Sequence, residues 1–161
     1  MNYAIVLRLL SYILLTEGAL LLLPAVASLC YGEWFVMGVF LFTAALSALA
    51  GALFHRVKAK SQIFYMREGF VTTALCWLLI SVVGAVPFVL TGCIPNPVDA
   101  LFETVSGFTT TGASILPAVA DLPKGILFWR SFTHWVGGMG VLVFLLSLLP
   151  LTGGSDRKSV V

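Results

Sequence analysis

At 161 residues, 60% of them hydrophobic and only 10% charged, the chain has too few charges to cover a water-facing surface, for which roughly 25% is usual. The mean hydropathy of +1.05 says the same, so the excess apolar surface has to meet membrane lipid. A net charge of +2 without a basic, aromatic-interleaved patch argues against a nucleic-acid partner.

Four apolar runs follow in chain order, and a helix needs about 20 such residues to cross a hydrocarbon core of roughly 30 Å. The first, residues 3–29, is interrupted by Arg8 and Glu17. It also carries the parts of a cleavable leader, with Ala25-Val26-Ala27 as a small-residue site, but Glu17 would fall in the middle of the apolar region that a leader needs. Residues 34–54 contain no charge, and residues 70–90 contain none either, with Pro87 near one end. The fourth run, 126–149, holds Arg130 and His134 in its first turns. Basic residues of short loops stay on the cytoplasmic side. The one basic loop, His55 to Lys60 with Arg67 behind it, therefore places the amino terminus in the cytoplasm and residues 91–124 outside.

Residues 91–125 leave and return on that outer face. Asn96 is a candidate helix cap, Pro97 suits the first helical position, and Asp99 suits the positive end of a helix dipole. A helix over 97–106 is too short to span, which makes it a re-entrant half-helix. The non-helical run from Gly107 to Ser114 follows it. Such backbone is tolerated at membrane depth only where protein buries it or water lines it. A Thr/Gly strand there can turn successive carbonyls toward an ion and replace its hydration shell. A Thr-Thr-Thr-Gly run by itself is more often an ordinary turn than a filter, and it is the surrounding pattern of outward span, capped half-helix and inward span that raises the second reading. Glu103 on the half-helix either strengthens the negative field at the outer mouth or hydrogen-bonds backbone amides behind the strand. Arg130 and His134 read as snorkelling or bracing groups, since a cation in the path would repel a cation. Gly137, Gly138 and Gly140 suggest close helix packing or a bend. Cys30, Cys76 and Cys93 are an odd set without CxxC spacing, which speaks against a disulfide framework and a zinc site. No HExxH, GxSxG or Walker pattern occurs, so an enzyme is not expected.

Residues 100–113 (ALFETVSGFTTTGA) and 128–140 (FWRSFTHWVGGMG) resemble the Trk/Ktr/HKT superfamily of potassium uptake proteins, and most closely its TrkH branch. The resemblance covers about residues 1–155. It implies an all-α membrane protein with four transmembrane helices plus one re-entrant pore half-helix and filter loop. Residues 1–66 would be a leading helix pair and 67–155 the first helix–pore-loop–helix repeat. Thr109, Thr110, Thr111 and Gly112 would be the potassium-binding selectivity-filter positions, with Glu103 as pore-helix support. The transported ion would be potassium, with no other cofactor. The implied partners are the remaining pore repeats of a full-length chain, a cytoplasmic TrkA-type nucleotide-binding regulator and a second copy in a homodimer. The implied location is the bacterial inner membrane. One GFTTTG supplies a quarter of a carbonyl ring, so the expectation is an amino-terminal piece of a longer protein; a homotetrameric channel and a non-conducting membrane subunit are the alternatives. Residues 156–161 (DRKSVV) are what a common sequencing adapter encodes, and the reading frame is expected to leave the gene there.

Overall fold

The computed structural model describes residues 3–57 and 66–152, the side chains of 66–67 and 144–152 excepted. The basic residues at 58–60 and the tail at 156–161 lie outside the described residues. Among the described residues the secondary structure is entirely helical: α1 Tyr3–Leu20, α2 Leu22–Cys30, α3 Trp34–His55, α4 Met66–Leu90, α5 Pro97–Phe108 and α6 Lys124–Thr152, with one 3-10 turn at Val119–Asp121. Among the described residues, three segments are long and apolar enough to cross a membrane: Tyr3–Cys30, Trp34–His55 and Glu68–Leu90. Their outer faces carry bare apolar side chains such as Phe35, Phe42, Leu49 and Leu78, which only lipid or another apolar surface accommodates. This is an all-α membrane protein. The fourth expected span takes the form of α6, a single helix of 29 residues.

The first apolar run is not one helix. Pro24 has no N–H to donate, and its ring crowds the carbonyl four residues back. The break falls just ahead of it, at Leu21, whose N–H still reaches Glu17 O at 2.9 Å while Ala25 N–H reaches Leu21 O at only 3.4 Å. α1 packs along α3, and Ser47 Oγ of α3 donates to the Leu14 carbonyl of α1 at 2.7 Å. Hydrogen bonds and close packing matter here because apolar burial gives no preference for helix over lipid.

The interior is built around α6. Trp129 is 1% exposed, its indole N–H donates to Gly84 O of α4 at 2.9 Å, and its ring meets Phe40 of α3 and Phe108 of α5 edge-on, both at 6.3 Å. Edge-to-face pairs at this separation are attractive beyond their area. One side chain therefore ties α3, α4 and α5 to α6. A second tie lies at the outer end. The Glu33 carboxylate, on the turn between α2 and α3, accepts from the first two N–H groups of α6, Lys124 at 2.7 Å and Gly125 at 3.0 Å. These N–H groups have no partner within their own helix, and the positive helix end favours the carboxylate. A Cβ at Gly125 would collide with Ser28 Oγ of α2, so the amino end of α6 rests directly on α2.

Candidate functional site

α5 forms as the residues at its start dictate. Asn96 caps it, accepting from Val98 N at 3.1 Å, Pro97 occupies the first turn and Asp99 sits at the positive end. The helix runs 12 residues, two beyond the expected end. At 1.5 Å per residue it is about 18 Å long, little more than half a bilayer core.

What stops α5 also shapes the segment after it. Thr110 N donates back to Gly107 O at 2.9 Å and Thr111 N to Ser106 O at 3.0 Å. These two bonds constitute a Schellman motif, whose pivotal residue is left-handed and is usually glycine. Here the pivot is Thr110, at φ 57°, followed by Gly112 at φ 77°. Sequence reasoning assigned backbone freedom to Gly112 and missed Thr110; nothing local signals it, because a β-branched residue disfavours this region. Its hydroxyl supplies part of the compensation by donating to Thr109 O at 2.7 Å. Thr109 Oγ1 in turn donates to Val105 O at 2.7 Å and meets Thr111 Oγ1 at 2.8 Å. The chain's N–H groups are thus turned inward to the helix end. Among the described residues the carbonyls of Thr110, Thr111 and Gly112 accept no hydrogen bond, and residues 109–115 are exposed.

A left-handed threonine costs roughly 1–2 kcal/mol. Thr110→Gly is therefore expected to raise stability by about 1 kcal/mol while loosening the turn. Thermal unfolding in detergent checks this, and an unchanged or lower midpoint would mean that Thr110 is not held left-handed.

Glu103 lies behind this segment. It is 2% exposed, accepts from Ser114 Oγ at 3.0 Å and Ile115 N at 3.1 Å, and pairs with Arg130 Nε at 2.6 Å. Of the two readings the sequence left open, the geometry is that of the second, a carboxylate holding backbone and side-chain donors behind the strand. Arg130 reaches it from α6, so the ion pair joins α6 to α5 behind the turn. His134 Nδ1 donates to the Arg130 carbonyl at 2.9 Å, one turn further on. Ser106 Oγ of α5 closes the loop by donating to Ala113 O at 2.6 Å.

Gly137 of α6 sits where any Cβ would collide with the Phe108 carbonyl oxygen, whereas a Cβ at the adjacent Gly138 would meet only Thr110 Cγ2, at 3.9 Å. α6 is thereby pressed against the end of α5. The sequence placed Gly137 on a packing helix; the structure puts it in contact with the residue that precedes Thr109. No group of three or more candidate metal-ligating side chains occurs among the described residues.

The family model described as TrkH, cation transport protein, matches residues 36–161. Among curated relatives, the Trk system potassium uptake protein TrkH of Halomonas elongata is 33% identical over 158 residues, covering 95% of this chain and 32% of that protein. Trk system potassium uptake protein TrkG of Escherichia coli is 34% identical over 136 residues, covering 84% of this chain and 28% of that protein. An uncharacterized cation transporter of Methanocaldococcus jannaschii is 36% identical over 148 residues, 92% of this chain and 31% of that protein. The chain spans about a third of the length of the relatives it matches. The α5–turn–α6 unit, with Glu103 and Arg130 joined behind it, α4 and all but the first two residues of α3 fall inside the matched region, and the chain belongs to the TrkH family of cation transport proteins.

Proposed function

We propose that the chain contributes one pore-lining repeat to a Trk-type potassium uptake system, with the carbonyls of Thr109, Thr110, Thr111 and Gly112 as ligands for the dehydrated ion. In this reading α1–α3 are a leading pair of spans, α4 crosses outward, α5 dips in from outside and α6 crosses back. The observation that carries it is the end of α5: a half-helix stopped by a turn that consumes the N–H groups and leaves the successive carbonyls of Thr110, Thr111 and Gly112 without a hydrogen bond among the described residues. Lipid cannot satisfy such backbone, so it has to face water or an ion. A ring of carbonyls around potassium is one arrangement that satisfies both.

One chain supplies one quarter of that ring. The others come from further repeats of the same kind, in a longer chain or in other copies. The relatives are named as members of a Trk system, which suits a cytoplasmic TrkA-type nucleotide-binding partner and a homodimeric assembly in the bacterial inner membrane, with the amino terminus in the cytoplasm.

Gly112 provides the test. A side chain there is strained at φ 77°, although the space around it is open. In the complete pore-forming protein, Gly112→Ser should reach the membrane at normal levels and admit sodium as well as potassium. Gly112→Asp should reduce uptake at least about tenfold, because a carboxylate beside the carbonyl row traps the ion. The assay is growth at limiting potassium in a strain without its own uptake systems, with rubidium and sodium fluxes alongside. Unchanged rate and selectivity in both variants would reduce residues 109–112 to a turn.

A further inference from the structure

Ser106, in the last turn of α5, is 2% exposed and holds three consecutive residues of the segment that follows. Its carbonyl accepts from Thr111 N at 3.0 Å and from Gly112 N at 3.5 Å. Its hydroxyl donates to Ala113 O at 2.6 Å. The helix stop accounts for the carbonyl but not for the hydroxyl. Helical serines and threonines commonly donate to the carbonyl one turn back, as Thr104 does to Ala100 O, Ser28 to Pro24 O and Thr43 to Val39 O. Ser106 instead reaches seven residues ahead.

The sense of these bonds reverses along the chain, and that decides which atoms face away from α5. The peptide bonds of the described residues are trans, and in a planar trans peptide the N–H and the C=O point opposite ways. The N–H groups of Thr111 and Gly112 point at Ser106, so the carbonyls of Thr110 and Thr111 point away from it. At Ala113 the carbonyl itself points at Ser106, which turns the N–H of Ser114 outward. The run of free carbonyls thus ends at Gly112, and the next peptide group presents a donor, which repels a cation.

We propose that the Ser106 hydroxyl is a positioning group that ends the ligand row at Gly112 and thereby sets how strictly the site prefers potassium over a smaller ion. The proposal rests on the reading that residues 109–112 contact the ion. That preference depends on the number and setting of the carbonyls around the ion. Tethered, Ala113 gives the row a fixed last member; released, its peptide group is free to turn and offer another carbonyl. Ala113 is exposed, so water replaces the lost bond and the fold does not depend on it.

The test measures rubidium and sodium uptake by the complete pore-forming protein, in a strain without its own potassium uptake systems. Membrane level and thermal midpoint are read alongside. Ser106→Ala should keep a near-wild-type midpoint and lower the rubidium-over-sodium ratio about three- to tenfold, the value of one hydrogen bond. Ser106→Cys, similar in size but a weak donor, should do the same. Ser106→Thr retains the hydroxyl and should keep the wild-type ratio. Should the alanine or threonine variant fail to reach the membrane, the cysteine variant decides. A wild-type ratio in Ser106→Ala or Ser106→Cys would overturn the proposal. An equal drop in Ser106→Thr would overturn it too, because size and not the hydroxyl would then matter. Gly112→Ser separates the two readings. If it alters the ratio while Ser106→Ala and Ser106→Cys do not, only the role of Ser106 falls; if none of the three does, the ion-contact reading falls with it.

Discussion

Glu103→Ala is expected to lower stability by about 3 kcal/mol, because removing one partner of a buried ion pair leaves the other uncompensated. The low end of the usual range applies, since the Arg130 side chain keeps 19% of its exposure and can turn toward water. Two further donors, Ser114 Oγ and Ile115 N, lose their acceptor, and interhelical hydrogen bonds in membranes average about 0.6 kcal/mol each. Arg130→Ala should cost less, since Glu103 retains those two donors. The double variant should then be less destabilised than the sum of the singles, by about 1–2 kcal/mol of coupling. Thermal unfolding in detergent reads the four proteins, and transport in the assembled system should fall in the same order. Additive losses would show that the pair contributes nothing beyond its separate parts.

Gly137→Ala and Gly138→Ala, one residue apart, should diverge sharply. Each gains about 1 kcal/mol of helix propensity in isolation. At Gly137 the added methyl collides with the Phe108 carbonyl oxygen, and backbone cannot swing aside as a flexible side chain does. Overpacking of this kind costs about 1–3 kcal/mol or more, and the displacement passes directly into Thr109 and Thr110. Gly138→Ala meets only ordinary van der Waals contact and should be neutral or slightly stabilising. Equal behaviour of the two variants, in unfolding midpoint and in ion uptake, would mean that α6 does not press on the end of α5.

Local chemistry made much of this legible beforehand. Asn96, Pro97 and Asp99 announce the start of α5 within four residues, and the cap forms as those side chains require. Long apolar runs reveal the spans, because lipid demands length and little else. Contacts between distant elements left no such trace. Glu103 and Arg130 stand 27 positions apart on different helices, so their charges were visible but their pairing was not. Glu33 reads as an unremarkable turn residue, and no periodicity points from it to Lys124. Pro24 could have been tolerated as a kink within one span; only the structure shows that the helix breaks at Leu21, just ahead of it. The left-handed Thr110 is the clearest case, since the surrounding bonds hold a conformation that the residue alone would avoid.

The tie between Glu33 and α6 has a consequence in time. Chains are made from the amino end, and early segments fold while later ones are still being synthesised. Glu33 precedes Lys124 by 91 residues, and α3, which ends at His55, is complete well before Lys124 emerges, with the Glu33 carboxylate at the outer turn of the α1–α3 hairpin. When α6 arrives, that carboxylate and Ser28 set how far the helix slides along its axis. The axial setting decides whether Gly137 lies level with Phe108 or a turn away from it. The leading hairpin then serves as a gauge block during biogenesis, fixing the height of residues 109–112 as α6 docks.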